Sequence, residues 1–164
     1  EIIDFFKIPE PLIQKDFSRI MSLKDGLKKM SKSELSDLSR INLTDKEDQI
    51  VNKIKKAKTD TLPIPSSIEE LKERPEAKNL LSIFSSMSET TLEKSIQEFS
   101  GKTFSHFKES LTQILVEKII PISNEIEKLL NEKDYLDEIL SEGCKIANKI
   151  ASKKIEKVHK IIGF

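Results

Sequence analysis

The sequence predicts a mainly α-helical protein whose C-terminal part is a helical bundle. Three observations carry that prediction. The 164 residues hold only four glycines and no tryptophan, amid abundant Lys, Glu, Leu and Ile; this composition favours helices over a β-sandwich. Apolar residues recur at helical spacing from Ser67 onward. Capping signals and glycine stops punctuate that pattern. The length suits one domain, or one domain with a remnant of another.

The elements read as follows. Residues 1–18 are mixed, and Pro9 and Pro11 disrupt any long helix there. Residues 19–23 read as a strand, 24–39 as a polar, mobile loop, and 40–43 as a short extended piece. Thr44-Asp45-Lys46-Glu47 has the form of a capping box. Ile50, Val51, Ile54 and Ala57 continue a helix that should end near Lys58. Pro63, Pro65 and two serines then make a connector, a candidate boundary.

Beyond it, Pro75 fits a first helical turn, and Leu80, Leu81, Ile83, Phe84 and Met87 form an apolar face. Thr90-x-x-Glu93 opens a helix with Leu92, Ile96 and Phe99, which Gly101 stops. A long helix is expected over about 103–130, with Phe107, Leu111, Leu115, Ile119, Ile122, Ile126, Leu129 and Leu130 on one stripe. Pro121 should kink it. A shorter helix is expected over about 133–140, and Gly143 permits a break or close packing. The last helix carries Ile146, Ile150, Ile155, Val158 and Ile162, with Gly163 as its stop. Antiparallel helices joined by short loops make the bundle.

Formal net charge is zero, yet its distribution is uneven. Residues 22–60 carry +3, residues 141–164 carry +4, and 61–140 carry −6. The two basic regions are where a polyanion could approach. No run of about eighteen apolar residues occurs, so nothing is expected to span a membrane. The single Cys144 allows no internal disulfide and suggests a reducing compartment. It lies on an apolar-periodic stretch and is expected to be a buried small hydrophobe. His106 and His159 lack ligand-spaced neighbours, so no metal residues are predicted.

One motif carries chemistry. Lys29-Met30-Ser31-Lys32-Ser33 places two lysines and two hydroxyls on a short polar loop. Ammonium groups supply mobile positive charge, and hydroxyls and backbone N–H groups supply short-range donors, so the loop can grip phosphate. The apolar run Ile20-Met21-Ser22-Leu23 would deliver it to a site.

The whole run from Arg19 to Ser33 resembles the signature loop region of class I aminoacyl-tRNA synthetases, in particular the tryptophanyl-tRNA synthetases of bacterial and organellar type. The resemblance continues downstream. It includes Phe5-Phe6 with Pro9-Glu10-Pro11, Lys55-Lys56-Ala57-Lys58-Thr59-Asp60, Arg74-Pro75-Glu76-Ala77-Lys78-Asn79-Leu80-Leu81, Gly101 with Phe107-Lys108, and Tyr135-Leu136-Asp137-Glu138-Ile139-Leu140-Ser141-Glu142-Gly143. It ends with Lys145, Ile150-Ala151 and the closing Ile162-Gly163-Phe164. Gly26 stands where the family usually has proline, and Glu34-Leu35 where it has Asp-Pro. Those departures flank the lysines and bear on the stiffness of the loop, since glycine frees a backbone that proline would fix.

The resemblance implies a two-part organisation. Residues 1–60 would be the C-terminal remnant of a Rossmann-like α/β nucleotide-binding catalytic domain carrying the KMSKS loop. Residues 61–164 would be the helical anticodon-binding domain. The H-I-G-H-like motif and the amino-acid pocket of such enzymes do not occur here, so the chain is expected to be a C-terminal fragment, inactive alone. The implied parent activity is tryptophan–tRNA ligation: tryptophan is activated with ATP, a substrate accompanied by Mg2+, and transferred to tRNA(Trp).

Within that reading Lys29 and Lys32 are the catalytic candidates, with Ile20, Lys29, Met30, Ser31, Lys32 and Ser33 forming the ATP-binding set. Ile20 would offer its backbone to adenine, Ser31 and Ser33 would donate to phosphate or hold the loop, and Met30 would pack. Lys145, Lys149 and Lys153 stack on one helical face, which either contacts tRNA phosphates or simply solvates the helix. The resemblance further implies a homodimeric parent without a membrane partner, in the cytoplasm or an organelle matrix. The alternatives are the sister synthetase for tyrosine and a non-catalytic helical RNA-binding or scaffold module.

Overall fold

The structure, a computed structural model, describes residues 6–13 and 19–163. Phe5 and Phe164, which entered the resemblance above, lie outside the described residues. The described chain holds a two-stranded antiparallel sheet, β1 (Met21–Ser22) and β2 (Asp25–Lys29). Five α-helices follow: α1 (Glu47–Lys56), α2 (Pro75–Met87), α3 (Leu92–Phe99), α4 (Phe104–Asn131) and α5 (Lys133–Ile162). Short 3-10 turns occupy Asp37–Ser39 and Glu70–Glu73. The mainly α prediction therefore holds, with a small sheet at the start.

Two compact units are present, Glu1–Ile120 and Pro121–Phe164. The core of the first contains Leu23, Ile50, Ile54, Leu71, Leu80, Leu81, Phe99, Phe107, Leu111 and Leu115, all essentially sealed from solvent. All but Leu23, from the predicted strand, and Leu71, in a 3-10 turn, lie on the apolar faces predicted from helical spacing. Three rings join α2, α3 and α4. Phe84 and Phe107 both meet Phe99 at 4.9 Å in edge-to-face geometry, the arrangement that the aromatic quadrupole favours. Between α2 and α3 the buried hydroxyls of Ser85 and Ser95 satisfy each other at 2.7 Å.

Helix ends follow local chemistry, with shifts of one or two residues from the sequence reading. The α1 start moves past Thr44: the Lys46 N–H donates to Gln49 Oε1 at 2.8 Å. The α3 cap is Thr91, whose Oγ1 accepts from the Lys94 N–H at 3.4 Å. Pro75 opens α2 at its first turn, where its missing N–H costs nothing. Gly101 adopts a positive φ of 73° after α3, a conformation that suits glycine.

The predicted connector around Pro63 is no free linker. The Ile64 N–H donates to the Lys102 carbonyl at 2.9 Å, and the Gly101 N–H donates back to the Ile64 carbonyl at 3.0 Å. Ile64 is buried. Packing of the first unit is thus continuous through residue 60.

In the second unit α5 is one unbroken helix. Gly143 lies inside it, in open space, whereas the sequence reading ended one helix near residue 140 and allowed a break there. A single glycine costs a helix only about 1 kcal/mol relative to alanine, too little to end a helix of 30 residues. The break comes earlier, at Glu132, and the true stop is Gly163, with φ 85° and its N–H bonded to the His159 carbonyl at 2.9 Å. Ile146, Ile150, Ile155 and Ile162 form the predicted stripe but are exposed. Cys144 is also exposed, contrary to the expectation of burial: helical periodicity identifies a face, not what covers it.

Candidate functional site

The sequence predicted a mobile loop over 24–39. Instead the chain turns at once into a hairpin. β2 occupies the first part of that span, and Lys29 is its last residue, opposite Met21 in the ladder. The Met30 N–H then donates to the Ile20 carbonyl at 3.0 Å, closing the hairpin's open end. Met30 and Ile20 both pack against the core, so Met30 packs as expected. The Ile20 carbonyl already has a backbone partner.

Only a tight polar turn projects beyond this point. Ser31 Oγ and Ser33 Oγ lie 2.8 Å apart, and the Ser33 N–H donates to Ser31 Oγ at 3.3 Å. The Glu34 N–H donates to the Ser31 carbonyl at 3.4 Å. Lys29 and Lys32 are exposed, and neither forms an ion pair among the described residues. The two hydroxyls and the Lys32 ammonium therefore lie on one short turn, and Lys29 stands at the end of the strand that leads into it.

Residues that sequence reading missed fix the hairpin. Asn79 of α2 presents its amide to β1: the Met21 N–H donates to Oδ1 at 2.9 Å, and Nδ2 donates to the Met21 carbonyl at 2.9 Å. The side chain thus acts as a short extra strand, satisfying edge groups that would otherwise lack partners. Gly26 is buried against the first turn of α2. A Cβ there would lie 2.6 Å from the Glu76 nitrogen and the Pro75 carbonyl carbon. Its φ is not positive, so glycine is required here for close approach and not for backbone freedom. Without a Cβ, the hairpin seats directly on the helix end. Glu76 also accepts from the Gly26 N–H and pairs with Lys58 at 2.7 Å. The hydrogen bond from Lys58 holds the Glu76 carboxyl below its ordinary range, and Lys58 is raised in turn.

The far root of the turn is held by a polar cluster. Lys53, on α1, is 2% exposed. Its Nζ donates to Asp45 Oδ1 at 2.8 Å and Oδ2 at 2.7 Å, and reaches Asp37 Oδ2 at 2.6 Å. All three ammonium protons thus have carboxylate partners, as a buried cation requires. Asn42 bridges the two acids, donating to Asp37 Oδ1 at 2.9 Å and Asp45 Oδ1 at 3.2 Å. Arg40 pairs with Asp37 at 3.2 Å and donates through Nη1 to the Glu34 carbonyl at 3.0 Å. Hydrogen bonds from Lys53 and then Asn42 lower the Asp37 pKa. The signal for Lys53 was legible: a lysine three residues after Ile50 falls on the buried stripe of α1.

The cavity beside the hairpin does not coincide with the turn. About 720 Å³ in volume, it is lined by Arg19, Met21, Gly26, Leu27, Lys78 and Asn79 among others, and by none of residues 29–33. Among the described residues no group of three or more His, Cys, Asp or Glu side chains converges to hold a metal ion. Lys145, Lys149 and Lys153 are exposed on α5. No described helix is long and apolar enough to cross a membrane.

Comparisons with known proteins show the family. The profile of the family "tRNA synthetases class I (W and Y)" matches residues 1–120. The tryptophan–tRNA ligase of Agrobacterium fabrum is 49% identical over 98% of this chain, which spans 45% of that protein. For the tryptophan–tRNA ligase of Rickettsia felis the figures are 48%, 98% and 48%. The crystal structure of tryptophanyl-tRNA synthetase from Mycoplasma pneumoniae superposes with a TM-score of 0.74 at 27% identity, covering 92% of this chain and 45% of that one. That from Campylobacter jejuni, complexed with ADP and tryptophan, shares the fold with a TM-score of 0.69 at 23% identity, covering 98% and 48%. The chain thus spans about half the length of the relatives it matches. Since the match extends through the hairpin, its polar turn and the helices that brace them, the chain belongs to the class I tRNA synthetases of the W and Y family.

Proposed function

We propose that this chain supplies the phosphate-gripping loop and the tRNA-binding helices of a tryptophan–tRNA ligase. The observation that carries the proposal is that Lys32 on a turn braced at both roots, and Lys29 on the strand leading into it, are exposed and form no ion pair among the described residues. Tryptophan is favoured over tyrosine because the relatives above are tryptophan–tRNA ligases.

In amino-acid activation a carboxylate attacks the α-phosphate of ATP and pyrophosphate leaves. Negative charge builds on the departing phosphates. Cationic groups aimed at that charge stabilise the transition state more than the ground state. Lys32, at the tip of the turn, and Lys29, at the end of β2, fill that role. Ser31 and Ser33 exchange their mutual hydrogen bond for phosphate oxygens. The Ile20 backbone, at the hairpin root, is the proposed contact for adenine. The described residues offer no acidic cage for Mg2+, so in this proposal the ion travels on the phosphates of ATP, its ordinary mode of binding to nucleotides.

The division of labour falls near residue 60. Residues 1–60 serve activation, and 61–164 carry the anticodon-binding helices, while packing runs on to Ile120. On α5, Lys145, Lys149 and Lys153 are placed to neutralise tRNA phosphates. The parent protein is proposed to act as a homodimer in the cytoplasm or an organelle matrix.

The test is ATP–pyrophosphate exchange by the complete parent chain, with tryptophan and tyrosine offered separately. Exchange with tryptophan alone, reduced by orders of magnitude in Lys32→Ala, is the expected result. Exchange with tyrosine would move the assignment to the sister enzyme. Exchange with neither would leave a helical binding module.

A further inference from the structure

We infer that Arg40, held through the half-exposed Asp37 by the buried pair Lys53 and Asp45, is a positioning residue that fixes where Lys32 stands. The inference rests on the phosphate-gripping role proposed above and deepens it.

The turn has two roots. The first is a backbone bond, Met30 N–H to the Ile20 carbonyl, which belongs to the hairpin. The second root, Glu34, has no strand partner. Its carbonyl accepts from Arg40 Nη1 at 3.0 Å. Arg40 cannot choose that position alone, because a long side chain near the surface has many rotamers. Three contacts restrict it. Nη2 lies 3.2 Å from Asp37 Oδ1, Nε donates to Asn42 Oδ1 at 3.2 Å, and Nη1 reaches Glu34. The planar fork of guanidinium donors is thereby oriented by three acceptors.

Asp37 and Asn42 are fixed in turn by α1. Lys53 holds Asp37 and Asp45 together, and Asn42 spans the same two acids. Asn42 is pinned further, since its backbone N–H donates to Asp45 Oδ2 at 2.9 Å. Two cations and two carboxylates balance, so the cluster carries no net charge to compete with the lysines for an anion. A buried ion cluster is weak evidence for stability, because hydrophobic replacements often match it. What an apolar cluster could not do is orient a guanidinium toward one carbonyl. The route from the core of α1 to the turn is thus Lys53, Asp37, Arg40, Glu34. Ser33 and Lys32 follow at once in the chain.

The test uses the complete parent chain and a double-mutant cycle read by ATP–pyrophosphate exchange. Arg40 is only partly buried, so Arg40→Gln should fold, and an unchanged thermal midpoint would establish that. Arg40→Gln is expected to lower kcat and kcat/KM together by about tenfold to a hundredfold with the tryptophan KM unchanged, the pattern of a lost transition-state interaction. In the Lys32→Ala background the same change should cost less than about twofold, since coupled residues are non-additive. Arg40→Lys should recover only part of the loss, because an ammonium cannot reproduce the fork.

An equal loss in both backgrounds, or no loss in the native one, would overturn the inference and leave the loop assignment standing. A Lys32→Ala variant with full activity would instead overturn the loop assignment, and the inference with it. The two failures are therefore distinguishable.

Discussion

Asn79 and Met21 are joined by a complete amide-to-backbone pair, N–H to Oδ1 and Nδ2–H to carbonyl, each at 2.9 Å. These residues lie 58 positions apart in the chain. The pair therefore ties the first strand to the second helix before any apolar contact is counted. Asn79→Leu should destabilise the chain by about 2–4 kcal/mol, because it strands two backbone groups and adds a misfitting apolar end. Asn79→Asp should also lose stability, since a carboxylate cannot donate to the Met21 carbonyl. Urea unfolding measures both, and hydrogen exchange at the Met21 amide should speed up in the leucine variant.

Lys53 offers a second test of stability. Lys53→Met leaves the buried Asp45 carboxylate without its cation, and about 3–5 kcal/mol should be lost. Adding Asp45→Asn should recover part of that loss. It removes the stranded charge and keeps an acceptor for the Asn42 N–H. A double variant no better than Lys53→Met alone would show that charge balance is not what the cluster provides.

Gly26→Ala should be costly although alanine suits most turns. Its methyl would meet the Glu76 nitrogen and Pro75 carbonyl carbon at 2.6 Å. Backbone at a helix start has little room to yield, so about 1–3 kcal/mol is expected. A thermal midpoint equal to that of the native chain would show that the hairpin lifts off α2 without penalty.

The Lys58–Glu76 pair predicts a pH dependence of definite sign. The folded pKa of Glu76 lies below its ordinary 4.5. Its contribution is full well above that value, fades as pH falls through it, and vanishes below the folded pKa. Asp37 and Asp60, both lowered from 3.8, act in the same direction. For Asp60, burial opposes the shift, and hydrogen bonds from Arg74 and the Leu62 backbone outweigh it. Lys58 is raised above 10.5, so its part persists to alkaline pH and is lost only as pH rises through the raised value. The stability difference between the native chain and Glu76→Gln should accordingly be largest near neutrality and shrink as pH falls below 4.5 toward the lowered folded value.

Cys144 should react with a thiol reagent in the folded chain as an ordinary exposed thiol does. Its only described polar neighbour is Asn148 Nδ2 at 3.3 Å from the sulfur. Protection from labelling would mean that α5 is covered at this position in solution.

Much of this molecule was legible in advance, and what was not has a physical cause. Lys29 to Ser33 stood out because two lysines and two serines around Met30, in a fixed order, follow an apolar run. The faces of α2, α3 and the first half of α4 were legible from the 3.6-residue period, because burial there selects Leu, Ile and Phe. The hairpin was hidden because Asp25-Gly26-Leu27-Lys28-Lys29 has little strand propensity of its own. It is a strand because α2 supplies Asn79 and a flat landing for Gly26. Both contacts are non-local, and local pattern cannot report them. Lys53 was passed over for a related reason. Lysine counts as surface in a periodicity reading, and its partners Asp37 and Asp45 lie outside its helix. The continuity of α5 through Gly143 shows the reverse error, a breaker given more weight than its small energetic cost warrants.

The short turn between the two roots sets a limit on travel. Only Ser31, Lys32 and Ser33 lie between the Met30 amide and the Glu34 carbonyl, and both of those groups are bonded. Counted from the Met30 amide to the Glu34 carbonyl, the five residues 30–34 form a tether of at most about 18 Å when straight, so the tip can rise only about half that far from its base. The freedom given up when an anion is captured is then the torsional entropy of a few bonds, at about 1–2 kcal/mol per residue. In the proposed role a phosphate has to be brought close to the hairpin, because the turn is too short to go and fetch it.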